Sequence, residues 1–257
     1  MNYPFKQLII LTLLTTSLKT SVFAQSNESL LTDKNGDGTV KIAAFGDSIT
    51  YGVGDGGLST DGNLNPDSGG YPGRLSNYLS VPVENLGNPG ERITIGGFER
   101  FPQDVGASNA DTVIIMEGVN DVNEGVNTTD YRTALQTLIN VADSSGKNVM
   151  LVTLPAPGGE HENLDPGVTA FNLVIQDVAA VNGLTYADLN KGWSLACKGV
   201  LSCTLYNLPE GLHPTSKGYK AVAQSIAAGI LGIDIVAGSA SSLASALNIS
   251  ESEVLIK

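Results

Sequence analysis

Short apolar runs rich in β-branched residues alternate along the chain with stretches whose apolar residues keep a helical spacing. The five runs lie at residues 40–45, 81–86, 112–116, 148–154 and 184–189. Nearly continuous apolar strands are typical of a sheet that is buried on both faces, and helical crossovers let neighbouring strands run parallel. The pattern therefore predicts an α/β fold, a three-layer α/β/α sandwich with a five-stranded parallel sheet.

The helical patterns that follow the third, fourth and fifth runs each place their apolar residues on one face. Asn182 and Gly183 are expected to end the second helix, because glycine accepts the left-handed conformation found there. Ser216 is expected to cap the third helix. The predicted buried positions are Leu135, Leu138, Ile139 and Ala142, then Val168, Phe171, Ile175 and Val178, then Tyr219, Val222, Ile226 and Ile230.

The two ends of the chain differ from the part between them. Residues 1–24 contain Lys6, an apolar stretch at 8–18 and a small-residue pattern ending at Ala24, which predicts a cleaved signal peptide. The apolar stretch is shorter than the ~18–20 residues of a spanning helix, although an uncleaved anchor is the other possibility. We expect an exported, periplasmic or secreted protein with one domain at 25–233. A tail at 234–257 would add a short helix.

Acidic residues outnumber basic ones, and the net charge of the chain is −12. Removal of residues 1–24 takes away two lysines and no acid, which leaves 12 basic against 26 acidic residues and a charge of −14. This balance argues against nucleic acid and anionic membrane surfaces as partners.

Cys197 and Cys203 are the two cysteines of the chain and lie close together in the sequence. Export to an oxidising compartment favours a disulfide between them. A metal site is the alternative, but two cysteines and two widely separated histidines match no zinc spacing.

Candidate chemistry gathers where the predicted strands end. For a strand order of 2-1-3-4-5, ligands bind at the carboxyl ends, between the first and third strands. Ser48 in "GDSIT" follows the first strand, and Asn120 in "MEGVND" follows the third. The sequence therefore predicts Ser48 as a nucleophile at this edge.

A serine hydroxyl needs a base, and histidine is the usual one. His213 follows the fifth strand, and Glu210 lies three residues before it, where a carboxylate could orient the imidazole. His161 lies in the polar loop "APGGEHENLDP" and is interpreted as a solvated residue. Asn120 and Gly90 offer a side-chain amide and an unshielded backbone N–H to a developing oxyanion.

Four blocks in this order, "GDSIT", "NLGNPGE", "GVND" and "EGLHP", resemble the SGNH (GDSL-type) hydrolase superfamily, and the chain looks most like its secreted bacterial esterases. The resemblance implies a flavodoxin-like fold and ester hydrolysis through an acyl-serine, with no required cofactor. It implies Ser48 as nucleophile, His213 as base, and Gly90, Asn120 and the Ser48 backbone N–H as the oxyanion hole. Glu210 stands where the family usually has aspartate. Gly87 lies close to Gly90, but Gly90 fits the family pattern better.

Three further features have alternative explanations. Asp33, Asn35 and Asp37 in "DKNGDGT" match the start of a calcium-binding loop, but its twelfth position is Ala44, so a plain turn is the alternative to a structural calcium. Trp193 could line the substrate cleft or pack in the core. The polar loop at 51–70 directly follows the nucleophile and is expected to face the substrate.

These observations predict an exported serine esterase that hydrolyses short-chain carboxylic esters. A carbohydrate O-acetylesterase and a lysophospholipase or lipase share the same chemistry and remain alternatives. A non-catalytic binding protein on the same fold is a fourth, because fold does not determine function. The expected partner is a small ester or an acetylated carbohydrate, with no stable membrane anchor.

Overall fold

Five parallel strands form one sheet in the order β2-β1-β3-β4-β5. The computed structural model describes residues 29–56, 69–235 and 239–257, so the predicted signal peptide lies outside the described residues. The strand order and the parallel direction predicted from the sequence are confirmed. The strands are β1 Ile42–Gly46, β2 Val83–Gly87, β3 Thr112–Met116, β4 Asn148–Val152 and β5 Thr185–Ala187.

Strands β1 and β5 are shorter than their apolar runs, and a carboxylate binds the backbone beside each of them. Before β1, the Lys41 N–H donates to the Asp111 carboxylate at 2.9 Å. After β5, Asp188 accepts a hydrogen bond from the Lys191 N–H at 3.1 Å and so caps the next helix. Leu189, predicted to end the last strand, is therefore the first residue of a helix.

Helices cover both faces of the sheet, as a three-layer sandwich requires. The second, seventh and eighth pack together on one face, and the third, fifth and sixth pack on the other. In chain order they are α1 Ser48–Tyr51, α2 Gly70–Leu79, α3 Phe98–Ala107, α4 Val119–Asn123, α5 Thr128–Ser144, α6 Asp165–Asn182, α7 Leu189–Ala196, α8 Ser216–Ile230 and α9 Ala240–Leu247.

The predicted inner faces of α5, α6 and α8 are confirmed, because all twelve of their residues are buried. Gly183 adopts the left-handed conformation at the end of α6, as predicted. The predicted cap of α8 was wrong by one residue. The Thr215 side chain accepts a hydrogen bond from the Gly218 N–H, whereas the Ser216 hydroxyl donates to Asp55.

The C-terminal segment packs against the domain and forms the predicted short helix, α9. Gln224 on α8 donates to the Glu253 carbonyl and accepts from the Leu255 N–H, each at 2.8 Å. The hydrophobic core therefore extends beyond the expected boundary at residue 233. Six of its buried residues lie beyond that boundary: Ile235, Leu243, Ala244, Leu247, Val254 and Ile256.

Two further observations concern the cysteines and the length and polarity of the helices. Cys197 and Cys203 form a disulfide, which confirms the predicted pair. In the described residues, every helix is too short or too polar to cross a membrane.

Candidate active site

The loops that follow β1, β2 and β3 begin at the same level of the sheet. Gly46, the last residue of β1, pairs with Gly87 on one side and with Met116 on the other. Ser48 therefore enters α1 between the loops that carry Gly90 and Asn120. The structure places the predicted residues at one edge, as the strand order requires.

Ser48, His213 and Glu210 form a continuous hydrogen-bonded chain. The His213 Nε2 atom lies 2.9 Å from the Ser48 Oγ atom, although the residues are 165 positions apart. The His213 Nδ1 atom lies 2.8 Å from Glu210 Oε1. Because a carboxylate only accepts, Nδ1 carries the proton of the neutral ring, and Nε2 is left to accept the serine proton.

The Glu210 carboxylate is held by the backbone of its own turn. Its Oε2 atom accepts hydrogen bonds from the Leu212 N–H at 2.9 Å and from the His213 N–H at 2.8 Å. Burial alone would raise the pKa of Glu210, but hydrogen bonds from the His213 ring and from these two N–H groups lower it to about 2. Glutamate thus presents an ionised carboxylate to the ring at neutral pH, although the family usually has aspartate here.

Asn207 joins the loop after the nucleophile to the loop that carries His213. Its side-chain amide donates to the Gly54 carbonyl at 3.1 Å and to the Pro214 carbonyl at 3.0 Å. Its backbone N–H donates to the His213 carbonyl at 3.0 Å. Sequence reasoning missed this residue, because its partner at Gly54 lies 153 positions away.

Asp55 connects α2 and α8 beside the nucleophile loop. Its carboxylate accepts from the Gly70 N–H at 2.8 Å, from the Arg74 guanidinium and from the Ser216 hydroxyl. Burial would raise the pKa of Asp55, but the bonds from Arg74, Ser216 and Gly70 lower it. Asp55 therefore fixes both flanks of the polar loop that was expected to face the substrate. Residues 57–68 of that loop lie outside the described residues.

The candidate oxyanion donors lie on two loops that are tied to each other. The Asn120 amide donates one hydrogen bond to the Glu91 carbonyl at 2.8 Å and retains a second N–H. Gly90 is exposed at φ +77°, and a Cβ added there would meet no atom within 4 Å. The Gly87 N–H, in contrast, donates to Asn85 at 3.0 Å, which favours Gly90 as the donor.

Asp121 fastens these loops at a second point. Its carboxylate accepts hydrogen bonds from the Ile93 N–H at 3.0 Å and the Thr94 N–H at 3.1 Å. Burial raises the pKa of Asp121, and the bonds from Thr94 and Ile93 oppose that rise. The loop after β2 is therefore held directly beside the start of α4.

Several acidic side chains near the site are buried. Burial raises the pKa of Asp47 to about 7, and the hydrogen bond from the Ile49 N–H opposes that rise. Burial also raises the pKa of Glu117 well above its usual range. Neither carboxyl oxygen of Glu117 has a hydrogen-bond partner in the described residues. Glu91 is instead paired with Arg100, whose guanidinium lies 4.2 Å from the centre of the Phe45 ring.

Other residues singled out in the sequence have different surroundings. Trp193 is buried with its ring centre 4.5 Å from that of Tyr206, so it packs in the core. The Asp33 carboxylate accepts from the Gly36 and Gly38 N–H groups, and Asp37 pairs with Lys41. The described residues contain no cluster of three or more acidic, histidine or cysteine side chains suited to a metal. A structural calcium in this turn stays a prediction.

A known protein family matches most of this chain in sequence. The GDSL-like Lipase/Acylhydrolase family matches residues 44–221. The chain belongs to this family and is a carboxylic ester hydrolase. No curated protein sequence matched the chain.

Solved structures share the fold over most of their length. A lipase/acylhydrolase from Enterococcus faecalis is 26% identical, with 76% of this chain and 96% of that chain covered and a TM-score of 0.60. An acetylxylan esterase from Geobacillus stearothermophilus is 22% identical, with 77% and 96% covered and a TM-score of 0.64. An alpha/beta hydrolase enzyme from the metagenome of Lake Arreo, Spain, is 21% identical, with 76% and 96% covered and a TM-score of 0.64.

Proposed function

We propose that the protein is an exported serine esterase that cleaves short-chain carboxylic esters through an acyl-enzyme on Ser48. The observation that carries this proposal is the hydrogen-bonded chain from Ser48 to His213 and Glu210, with contacts of 2.9 Å and 2.8 Å. A serine that donates to an oriented imidazole is the arrangement that nucleophilic catalysis requires.

In the first half of the reaction, the Ser48 Oγ atom attacks the ester carbonyl carbon and His213 Nε2 takes the serine proton. The carbonyl oxygen becomes negative and accepts hydrogen bonds from the Ser48 and Gly90 backbone N–H groups and from the Asn120 amide. Glu210 stabilises the imidazolium. His213 then gives its proton to the leaving alcohol as the carbon–oxygen bond breaks, which leaves an acyl-serine.

In the second half, water replaces the alcohol. His213 accepts a proton from the water as its oxygen attacks the acyl carbon, and the same oxyanion donors act again. Collapse of this intermediate returns the proton to Ser48 and releases the acid. Each group thus acts twice, and the protein returns to its starting state without a cofactor.

Short acyl groups suit the loops that border the site. The turns at 87–90 and 118–121 are short, and the hydrogen bonds from Ile93 and Thr94 to Asp121 limit their movement. The loop at 57–68 is polar, which does not favour a long apolar channel. Each buried CH₂ contributes about 0.8 kcal/mol, so such a channel would make kcat/KM rise with chain length.

A series of p-nitrophenyl esters tests this preference. We expect kcat/KM to be highest between acetate and butyrate and to be lower for decanoate, with no rise in rate above the substrate's solubility limit. A steady increase up to decanoate would contradict the short-chain assignment and support a lipase. Ser48→Ala serves as the control for contaminating esterases.

A carbohydrate O-acetylesterase is the second candidate. The residues that favour it are the Ser, Asp and Asn side chains at 57–68, which could hydrogen-bond sugar hydroxyls. The acetylxylan esterase with the same fold gives a reason to test this substrate. Acetate release from acetylated xylan at a kcat/KM above that for p-nitrophenyl acetate would favour this candidate.

The proposal of export rests on residues 1–24 and is supported by the Cys197–Cys203 disulfide, a bond that persists in oxidising compartments. N-terminal sequencing of protein recovered outside the cytoplasm tests it. A mature chain that begins near Gln25 is expected, and a retained Lys6 would contradict cleavage.

A further inference from the structure

The loop between β4 and α6 lies directly against the turn that carries Glu210. The Gly158 N–H donates to the Gly211 carbonyl at 2.8 Å, and the Glu160 N–H donates to the Pro209 carbonyl at 2.9 Å. His161, interpreted from the sequence as a solvated loop residue, therefore belongs to a segment that braces the site.

His161 completes a row of three hydrogen bonds. Its ring Nδ1 atom lies 2.8 Å from the Glu210 carbonyl oxygen, between the carbonyls of Pro209 and Gly211. The outer two carbonyls are held by backbone N–H groups, which almost any residue could supply. The middle carbonyl is held by a side chain, so this contact depends on the residue at position 161.

The His161 ring acts on the backbone of Glu210 and not on its carboxylate. Its Nδ1 atom is 3.7 Å from Glu210 Oε1, which is too far for a hydrogen bond. The carboxylate is already occupied by His213 and the Leu212 N–H. A bond to the backbone fixes where the glutamate side chain starts, and thus the direction from which it reaches His213.

Close backbone contacts leave little freedom elsewhere in this interface. Gly211 has φ +80°, and a Cβ added there would lie 2.1 Å from the Gly158 carbonyl oxygen. On the far side, the Gly159 N–H donates to the Ser202 hydroxyl at 3.0 Å, next to the disulfide at Cys203. The His161 segment is thus held between the disulfide loop and the turn that carries Glu210.

We propose that His161 is a positioning residue, which holds the Glu210 backbone so that the carboxylate orients His213 for proton transfer. The role rests on the proposed function, because it requires the Glu210–His213 pair to act in catalysis. It predicts an effect on turnover rather than on substrate binding, since His161 acts through Glu210.

Three variants test this role against p-nitrophenyl acetate. His161→Ala removes the donor, and we expect kcat to fall about 10-fold to 100-fold with KM within twofold, because small errors in position are costly in catalysis. His161→Asn keeps an amide N–H near the Nδ1 position, so kcat should recover to within about threefold of the parent. Glu162→Ala, at an exposed position of the same turn, is the matched control and should leave kcat unchanged.

A spectroscopic measurement separates positioning from a loss of folding. The His213 Nδ1 proton that bonds Glu210 should give a low-field proton signal in the parent. This signal should persist at a shifted position in His161→Ala and return to the parent position in His161→Asn, whereas an unfolded variant would lose it. A kcat of His161→Ala within twofold of the parent, or a His161→Asn variant as slow as His161→Ala, would overturn the proposal. If Ser48→Ala also kept parent activity, the proposed function itself would fail. An inactive Ser48→Ala beside a fully active His161→Ala would overturn only the role of His161.

Discussion

At the scale of single residues, Glu210 shows how a longer acid serves in the place where the family usually has aspartate. One oxygen of its carboxylate accepts two backbone N–H groups of its own turn, and the other accepts the His213 ring. These hydrogen bonds hold the longer glutamate side chain against its own turn. The carboxylate and the ring it orients are only three positions apart, so their geometry depends on the turn 207–213.

Substitution of Glu210 tests whether its charge or its shape is required. Glu210→Gln would place an amide against the protonated Nδ1 atom and favour the wrong tautomer of His213, so we expect kcat to fall by up to about 10⁴ with little change in KM. Glu210→Asp keeps the charge and should retain more of kcat. Steady-state kinetics on p-nitrophenyl acetate measure both, and parent rates in both variants would show that another group orients the ring.

At the scale of elements, α1 begins with a buried acid directly before the nucleophile. Asp47 caps this helix by accepting the Ile49 N–H at 2.9 Å, while burial raises its pKa to about 7. The native state therefore binds a proton between about pH 4 and pH 7 that the unfolded chain releases. In this window stability falls as pH rises, and above pH 7 the full cost of the buried charge is present.

Asp47→Asn removes this titration and keeps the helix cap, because the asparagine side-chain oxygen can still accept the Ile49 N–H. We expect the free energy of unfolding of the variant, relative to the parent, to rise by on the order of 1–3 kcal/mol between pH 5 and pH 8. Urea unfolding at the two pH values measures this difference. Asp143→Asn, at an exposed position of α5, is the control, and an equal difference for both variants would contradict the account.

The elements also show what could be predicted from the sequence and what could not. The sheet and the inner faces of α5, α6 and α8 follow from apolar periodicity, a local property. The ends of β1 and β5 depend on the carboxylates of Asp111 and Asp188, which periodicity does not describe.

Some residues of the site could be predicted from the sequence, and others could not. Ser48, Asn120 and His213 follow strands and lie in short motifs, so topology and pattern find them. Asn207 and His161 act through partners 153 and 49 positions away, where no local pattern indicates contact. Such residues require the folded structure to be recognised.

At the scale of the whole molecule, the C-terminal segment completes the core beside α8. Deletion of residues 239–257 removes five buried apolar side chains, and the four larger ones each contribute about 1.5–3 kcal/mol when buried. We expect the free energy of unfolding to fall, because the apolar surface of α8 that these side chains cover would be exposed to water. Urea unfolding measures this loss, and deletion of Lys257 alone is the control. Equal stability of the two deletion variants would contradict the role of the C-terminal segment in the core.

Covalent labelling with a serine-directed organophosphorus fluoride tests whether Ser48 is the nucleophile. Intact mass and peptide mapping report how many groups are bound and where. We predict one phosphoryl group per chain, on Ser48, with no labelling of Ser48→Ala and slow labelling of His213→Ala, which lacks the base. Labelling of Ser48→Ala at the parent rate, or of a different residue in the parent, would contradict it.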